Sequence, residues 1–250
     1  MFKKSMTAVA ILITITSMLT IGSADGKDVL PWGMTWDASI REYVSMLQTN
    51  TPGVEYQILE VSGGGEYFVD SEVETGEWRI SHRALFTGMK TSNRITEHQL
   101  QDVESKNLKP EWVCISNTPT SGNAMEDLDN GNVMKTFLTL YGQFLELYGQ
   151  GASEYSFVKT CAGNAERKYA LPQRDGMPDF DAITAYQHEY FSNMRNLDHY
   201  WLVIGNGYAS CRLYVTCGDD NGGIRRQLWL ISYFFTKEPQ ENAYGAEVHP

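Results

Sequence analysis

Leu228-Trp229-Leu230-Ile231 sets four apolar side chains in succession within residues 224–236, just after a glycine-bearing turn at 218–223. A strand that is apolar at every consecutive position has no solvated side, so this one is expected at the centre of a sheet. Residues 199–204 and 209–217 read as two more strands leading into it. The period of two returns far upstream, where Val54, Tyr56 and Ile58 alternate with Glu55, Gln57 and Leu59. Gly63-Gly64-Gly65 then turns the chain into Glu66-Tyr67-Phe68-Val69, which makes a hairpin. Residues 77–80, 84–89, 95–103 and 111–116 continue it as an antiparallel meander, and 155–160 adds a strand further on.

Three stretches carry the helical period instead. Trp36, Ile40, Tyr43, Val44 and Leu47 fall on one helical face, with Thr35 as the expected N-cap and Thr51-Pro52-Gly53 as the stop. A second helix is expected over 133–148, through Met134, Phe137, Leu138, Tyr141, Leu145 and Tyr148. A third is expected over 179–197, through Phe180, Ile183, Tyr186, Tyr190 and Met194, with Asp179 and Asp181 at its positive end. Residues 117–132 lack an apolar period and read as a long exposed loop; 161–178 reads as irregular. The expectation is an α+β fold: an antiparallel sheet, or two adjoining sheets, packed by about three amphipathic helices. Residues 25–236 form a single domain of two similar layers split near 117–132, and 237–250 is a polar tail.

The first two dozen residues read as an export signal. Lys3 and Lys4 precede an apolar run from Met6 to Ile21, and Gly22-Ser23-Ala24 supplies small side chains for cleavage. A retained single-span anchor is the competing reading, although the run is short for a membrane span, which needs about 20 residues. The signal over 1–24 predicts a secreted or extracytoplasmic protein with no membrane span in the mature chain. Without Lys3 and Lys4 the balance is 18 basic to 31 acidic side chains, a net −13. Such a surface repels phosphate backbones, which argues against nucleic acid as a partner. At 42% hydrophobic and 20% charged residues the chain is globular, and its 14 Tyr and 6 Trp suit strand interiors first and sugar-binding surfaces second.

Cys114, Cys161, Cys211 and Cys217 are candidates for disulfides in an exported chain. Cys211 and Cys217 share a strand, which sets them about 20 Å apart, well beyond the roughly 7 Å that a bridge permits. Two bridges would therefore pair 114–211 with 161–217, or 114–217 with 161–211. Four buried thiols, or one bridge and two thiols, are equally compatible with the sequence. No spacing matches a zinc or redox signature.

Trp32-Gly33-Met34-Thr35 before an amphipathic helix, together with Leu147-Tyr148-Gly149 at a helix end, resembles uncharacterised secreted proteins of gut-type Gram-positive bacteria. In these, a WGM(S/T) helix start and a YG helix end frame an antiparallel sheet. The resemblance implies compartment and fold; that family has no established activity. At the level of fold, the layering is similar to β-lactamase-inhibitor and outer-membrane assembly-factor modules, which bind proteins on a sheet face.

Motifs with chemistry are incomplete. Ser156-Phe157-Val158-Lys159 has the S-x-x-K spacing, but on a strand positions three apart point to opposite faces. His188-Glu189 lacks the second histidine of a zinc site, since Ser192 stands there. Asp127, Asp129 and Asn132 sample a calcium-loop pattern without its glycine or its final glutamate. A G-x-S-x-G elbow at Ser62 fails because Glu60 replaces the first glycine. Asp179, Asp181 and Glu189 offer paired carboxylates, and Asp198 beside His199 offers an oriented imidazole. No catalytic residue, metal site or cofactor is assigned. The sequence reads best as an exported, non-enzymatic module that binds a protein or cell-envelope component. A secreted hydrolase acting on glycan or peptide is the alternative.

Overall fold

A computed structural model describes residues 30–61, 65–87, 96–120, 123–148, 155–175, 177–219 and 225–238. The signal expected over 1–24, the Ser62 turn and most of the polar tail lie outside these residues.

The fold is mixed α+β and dominated by one antiparallel sheet. Its strands are β1 (Glu55–Val61), β2 (Glu66–Thr75), β3 (Trp78–Thr87), β4 (Thr96–His98), β5 (Lys109–Pro119), β6 (Tyr155–Ala162), β7 (Ala165–Ala170), β10 (His199–Gly205), β11 (Ala209–Asp219) and β12 (Arg225–Thr236). The spatial order is β4-β1-β2-β3-β5-β12-β11-β10-β6-β7, and a separate two-residue pair joins β8 (Gln173–Arg174) to β9 (Met177–Pro178). The apolar run Leu228–Ile231 thus lies in a central strand, and the sheet is continuous rather than split in two. Inside the edge strands β4 and β7 the strands follow chain order toward the centre, β1-β2-β3-β5 and β6-β10-β11-β12, and the halves meet where Ser116 faces Ser232.

Five α-helices are described instead of about three: α1 (Ile40–Asn50), α2 (Leu100–Val103), α3 (Ala124–Asp129), α4 (Asn132–Tyr148) and α5 (Phe180–Asn193). The first begins four residues later than Trp36 because Ser39 and Glu42 form a capping box. The Ser39 backbone N–H donates to Glu42 at 2.7 Å, and the Glu42 N–H to the Ser39 hydroxyl at 3.3 Å. Thr35 instead closes a turn by accepting from the Ala38 N–H.

Further differences from the sequence reading have local causes. The expected strands at 77–80 and 84–89 join, over the described residues 78–87, into the single strand β3, since His82 is buried at the register position between Ser71 and Ile115. Of the stretch 95–103, the described residues 96–103 hold a three-residue strand and one helical turn. The expected loop at 117–132 contains the end of β5 and α3, whose buried Ala124 and Leu128 are too few to show a period. The irregular stretch 161–178 contains β7, an edge strand whose charged side chains hide its alternation.

The described helices stand on one face of the sheet. Tyr43 of α1 meets Phe86 edge-on at 5.5 Å, Phe144 of α4 stacks on Tyr233 at 5.8 Å, and Phe191 of α5 meets Tyr200 at 5.2 Å. In α3, Asp127 accepts a 2.6 Å hydrogen bond from the Trp229 indole. Apolar side chains between the helices and the sheet make one continuous core. Among the described residues no helix is long and apolar enough to cross a membrane.

Candidate functional site

The other face of the sheet is built from the alternate residues of the same strands. On its second half, Lys168 (β7), Lys159 (β6), Trp201 (β10) and Tyr214 (β11) stand side by side in one row of the ladder. The Trp201 and Tyr214 rings are 5.2 Å apart, and the Lys159 ammonium sits 5.1 Å from the Trp201 ring centre. His199 stacks on Tyr214 at 5.7 Å, and its Nδ1 shares a 2.6 Å hydrogen bond with the phenol oxygen. Lys168 lies 4.1 Å over Phe157, which it covers.

A second cluster crosses the midline. Phe68 (β2), Trp112 (β5) and Phe234 (β12) follow one another at 5.7 and 5.6 Å. Arg212 packs 3.8 Å over Phe234 while its Nε donates to the Ser210 hydroxyl at 2.8 Å. Arg83 lies over Phe68 and donates twice to Asp70, at 2.8 and 2.6 Å, which raises its pKa further. Ring faces capped by cations hold those cations in defined places.

On the second half of this face the electrostatics run against those of the chain. The protein carries a net −11, yet on the second half of this face Lys159, Lys168 and Arg212 stand against Glu166. Lys159 pairs with Glu166 at 2.9 Å. Lys168 is directly opposite Lys159, and its pKa is lowered, first by burial and then by that neighbouring charge.

Residues singled out for catalysis are not brought together. Asp198 accepts from the backbone N–H groups of Arg195, at 2.7 Å, and of Gly163, so it fixes a turn. The His199 ring is bonded to Tyr214, and no Asp198–His199 pair forms. Asp179 caps α5 by accepting from the Ala182 N–H and pairs with Arg174 at 2.9 Å. Asp181 is 87% exposed on the same arginine, and Glu189 lies eight residues further, about 12 Å along the helix. Ser156 and Lys159 fall on opposite faces of the sheet, as strand geometry requires. His188 pairs with Asp129 at 3.5 Å. Asp127 is taken by Trp229, and the calcium-like stretch is the end of α3, a two-residue turn and the start of α4. Among the described residues no three His, Cys, Asp or Glu side chains gather as a metal site.

The four cysteines are free thiols, and the two-bridge reading is corrected by the sheet. Cys114 and Cys161 point to the cation-bearing face, whereas Cys211 and Cys217 are buried on the helix side. A full strand separates each proposed pair: β12 lies between Cys114 and either partner, and β10 between Cys161 and either partner. Cys211 is buried among apolar groups, which pushes its thiol pKa well up.

Sequence reasoning did not name Trp201, Tyr214, Trp112 or Phe234 as a surface. The available signal was strands apolar on both sides in a chain whose helices can cover only one. No family model, no curated protein and no solved structure matches this chain.

Proposed function

We propose that the chain is an exported, non-enzymatic binding module that takes a protein or cell-envelope ligand on the face of the sheet opposite its helices. The observation that carries this reading is the row Lys168–Lys159–Trp201–Tyr214, with rings and cations set side by side over four strands. Such a surface combines large, rigid contact area with charge, the composition of binding hot spots. Its local positive sign on an acidic protein favours an acidic patch on the ligand. Export is carried by the leader read at 1–24 and by the resemblance at Trp32–Thr35 and Leu147–Gly149.

The test is affinity capture from envelope extract with the purified chain, run beside a Trp201→Ala, Lys159→Ala double variant whose circular dichroism is unchanged. A ligand held by the parent, released by salt and lost by the variant supports the reading. Equal retention by both proteins, or no retained ligand, contradicts it.

A further inference from the structure

On the helix side, away from the face just described, a cleft of about 380 Å³ opens between α5 and the outermost strands of that half, β6 and the edge strand β7. Its helical wall is Tyr186, Glu189, Tyr190 and Asn193, residues at offsets 0, 3, 4 and 7 that make a second stripe beside the buried Ile183, Gln187 and Phe191. Its strand wall is Arg167 and Tyr169 of β7, with Thr160 and two alanines as the floor. The small floor residues create the space, and its volume is on the scale of ligand pockets, about 300–1,000 Å³.

Tyr190 presents its ring rather than its hydroxyl. The Tyr190 phenol donates to the backbone carbonyls of His199, at 3.1 Å, and Cys161, at 3.3 Å. Burial is the first cause that raises the pKa values of Tyr186 and Tyr190, to about 12 for Tyr190. With Tyr190 held from the inside, the Tyr186 and Tyr190 rings lie 21° from parallel with centroids 6.1 Å apart, and Tyr186 remains 38% exposed. Around this platform stand a guanidinium, a carboxylate and a carboxamide. The Asn193 Nδ2 donates to the Glu189 backbone carbonyl, which leaves Oδ1 as the acceptor of that amide.

We propose that this cleft is a binding site for a neutral saccharide. A sugar ring has an apolar face that packs on an aromatic ring and an edge of hydroxyls that donate and accept together. The rim supplies both capacities, through Arg167 as donor and through Glu189 and Asn193 as acceptors. One positive and one negative side chain leave no net charge, which disfavours a phosphate and a quaternary ammonium alike. The site is independent of the sheet-face reading, because Thr160, Arg167 and Tyr169 project from the opposite side of the strands to Lys159 and Lys168.

The experiment is a titration of the purified chain with a panel of neutral oligosaccharides, followed by tyrosine fluorescence and calorimetry, with choline and inorganic phosphate as further probes. Saturable binding of at least one neutral oligosaccharide is expected. Tyr186→Ala weakens it about tenfold through the lost ring, while Tyr186→Phe retains it and the surface truncation Arg167→Ala weakens it without touching the core. Trp201→Ala leaves saccharide binding unchanged, so this site and the sheet face fail or stand separately. No binding across the panel, an unchanged affinity in both Tyr186→Ala and Arg167→Ala, or saturation by choline or phosphate alone would overturn the proposal.

Discussion

Trp201 and Tyr214 face each other across β10 and β11 with ring centroids 5.2 Å apart, on the side of the sheet that the described helices leave alone. Rings in such a position contribute little to a core shared with helices. Trp201→Ala is therefore expected to lower stability by only about 1 kcal/mol, the worth of one aromatic pair, while ligand capture falls by about tenfold or more. Chemical denaturation and capture, measured on the same preparation, check both halves of this expectation.

Lys159 and Lys168 oppose each other directly, and like charges in that relation destabilise a strand pair. Lys168→Gln is expected to raise stability by a few tenths to about 1 kcal/mol, yet to weaken capture and flatten its salt dependence. A melting temperature that drops, or a salt response that stays the same, would speak against a cation-led surface.

His82 is buried with its Nδ1 3.2 Å from the Ser71 hydroxyl and its ring 5.3 Å from Trp32. Burial lowers its pKa from 6.5 to about 4. Between those values the unfolded chain holds a proton that the folded chain lacks. Stability from this group is full above pH 6.5 and is lost as the pH falls towards 4, by about 3 kcal/mol in all. Urea midpoints at a series of pH values should show the loss, and His82→Phe should flatten it across that window.

Gly205 ends β10 where a Cβ would lie 2.3 Å from the Ala209 carbonyl oxygen and 2.5 Å from the Ser210 Cβ. Backbone must move to admit it. Gly205→Ala is expected to cost about 1–3 kcal/mol, read as a lower denaturation midpoint with an unchanged slope.

The thiol assignment is checked by labelling. In the native protein Cys114 and Cys161, half-buried on the cation-bearing face, are expected to react ahead of the buried Cys211 and Cys217. All four should react after denaturation without reductant. A mass two hydrogens short of four thiols would instead report a bridge.

The central strand was legible because Leu228–Ile231 is apolar without interruption, and α4 because a long helix repeats its period often enough to be seen. Short elements were not: α3 buries only Ala124 and Leu128, and β7 is an edge whose Glu166, Arg167 and Lys168 look like a loop. In α5 the pattern itself misled. Tyr186 and Tyr190 keep step with Ile183 and Met194 in sequence, yet the buried stripe runs through Ile183, Gln187 and Phe191, which frees the tyrosines to line a cleft. A glutamine inside the core is invisible to an apolar count. The sheet face escaped notice for a related reason: alternation shows that Trp201 and Tyr200 point to opposite sides, but not which side the helices take.

The most direct measurement places a benzoylphenylalanine photo-crosslinker at position 214 in one protein and at position 138 in another. Tyr214 lies on the proposed surface, whereas Leu138 is 39% exposed on α4 across the sheet. Irradiation in envelope extract is predicted to give a discrete adduct from position 214, competed by unlabelled parent protein, and none from position 138. Adducts from position 138 alone, or from both positions equally, would contradict binding on the face opposite the helices.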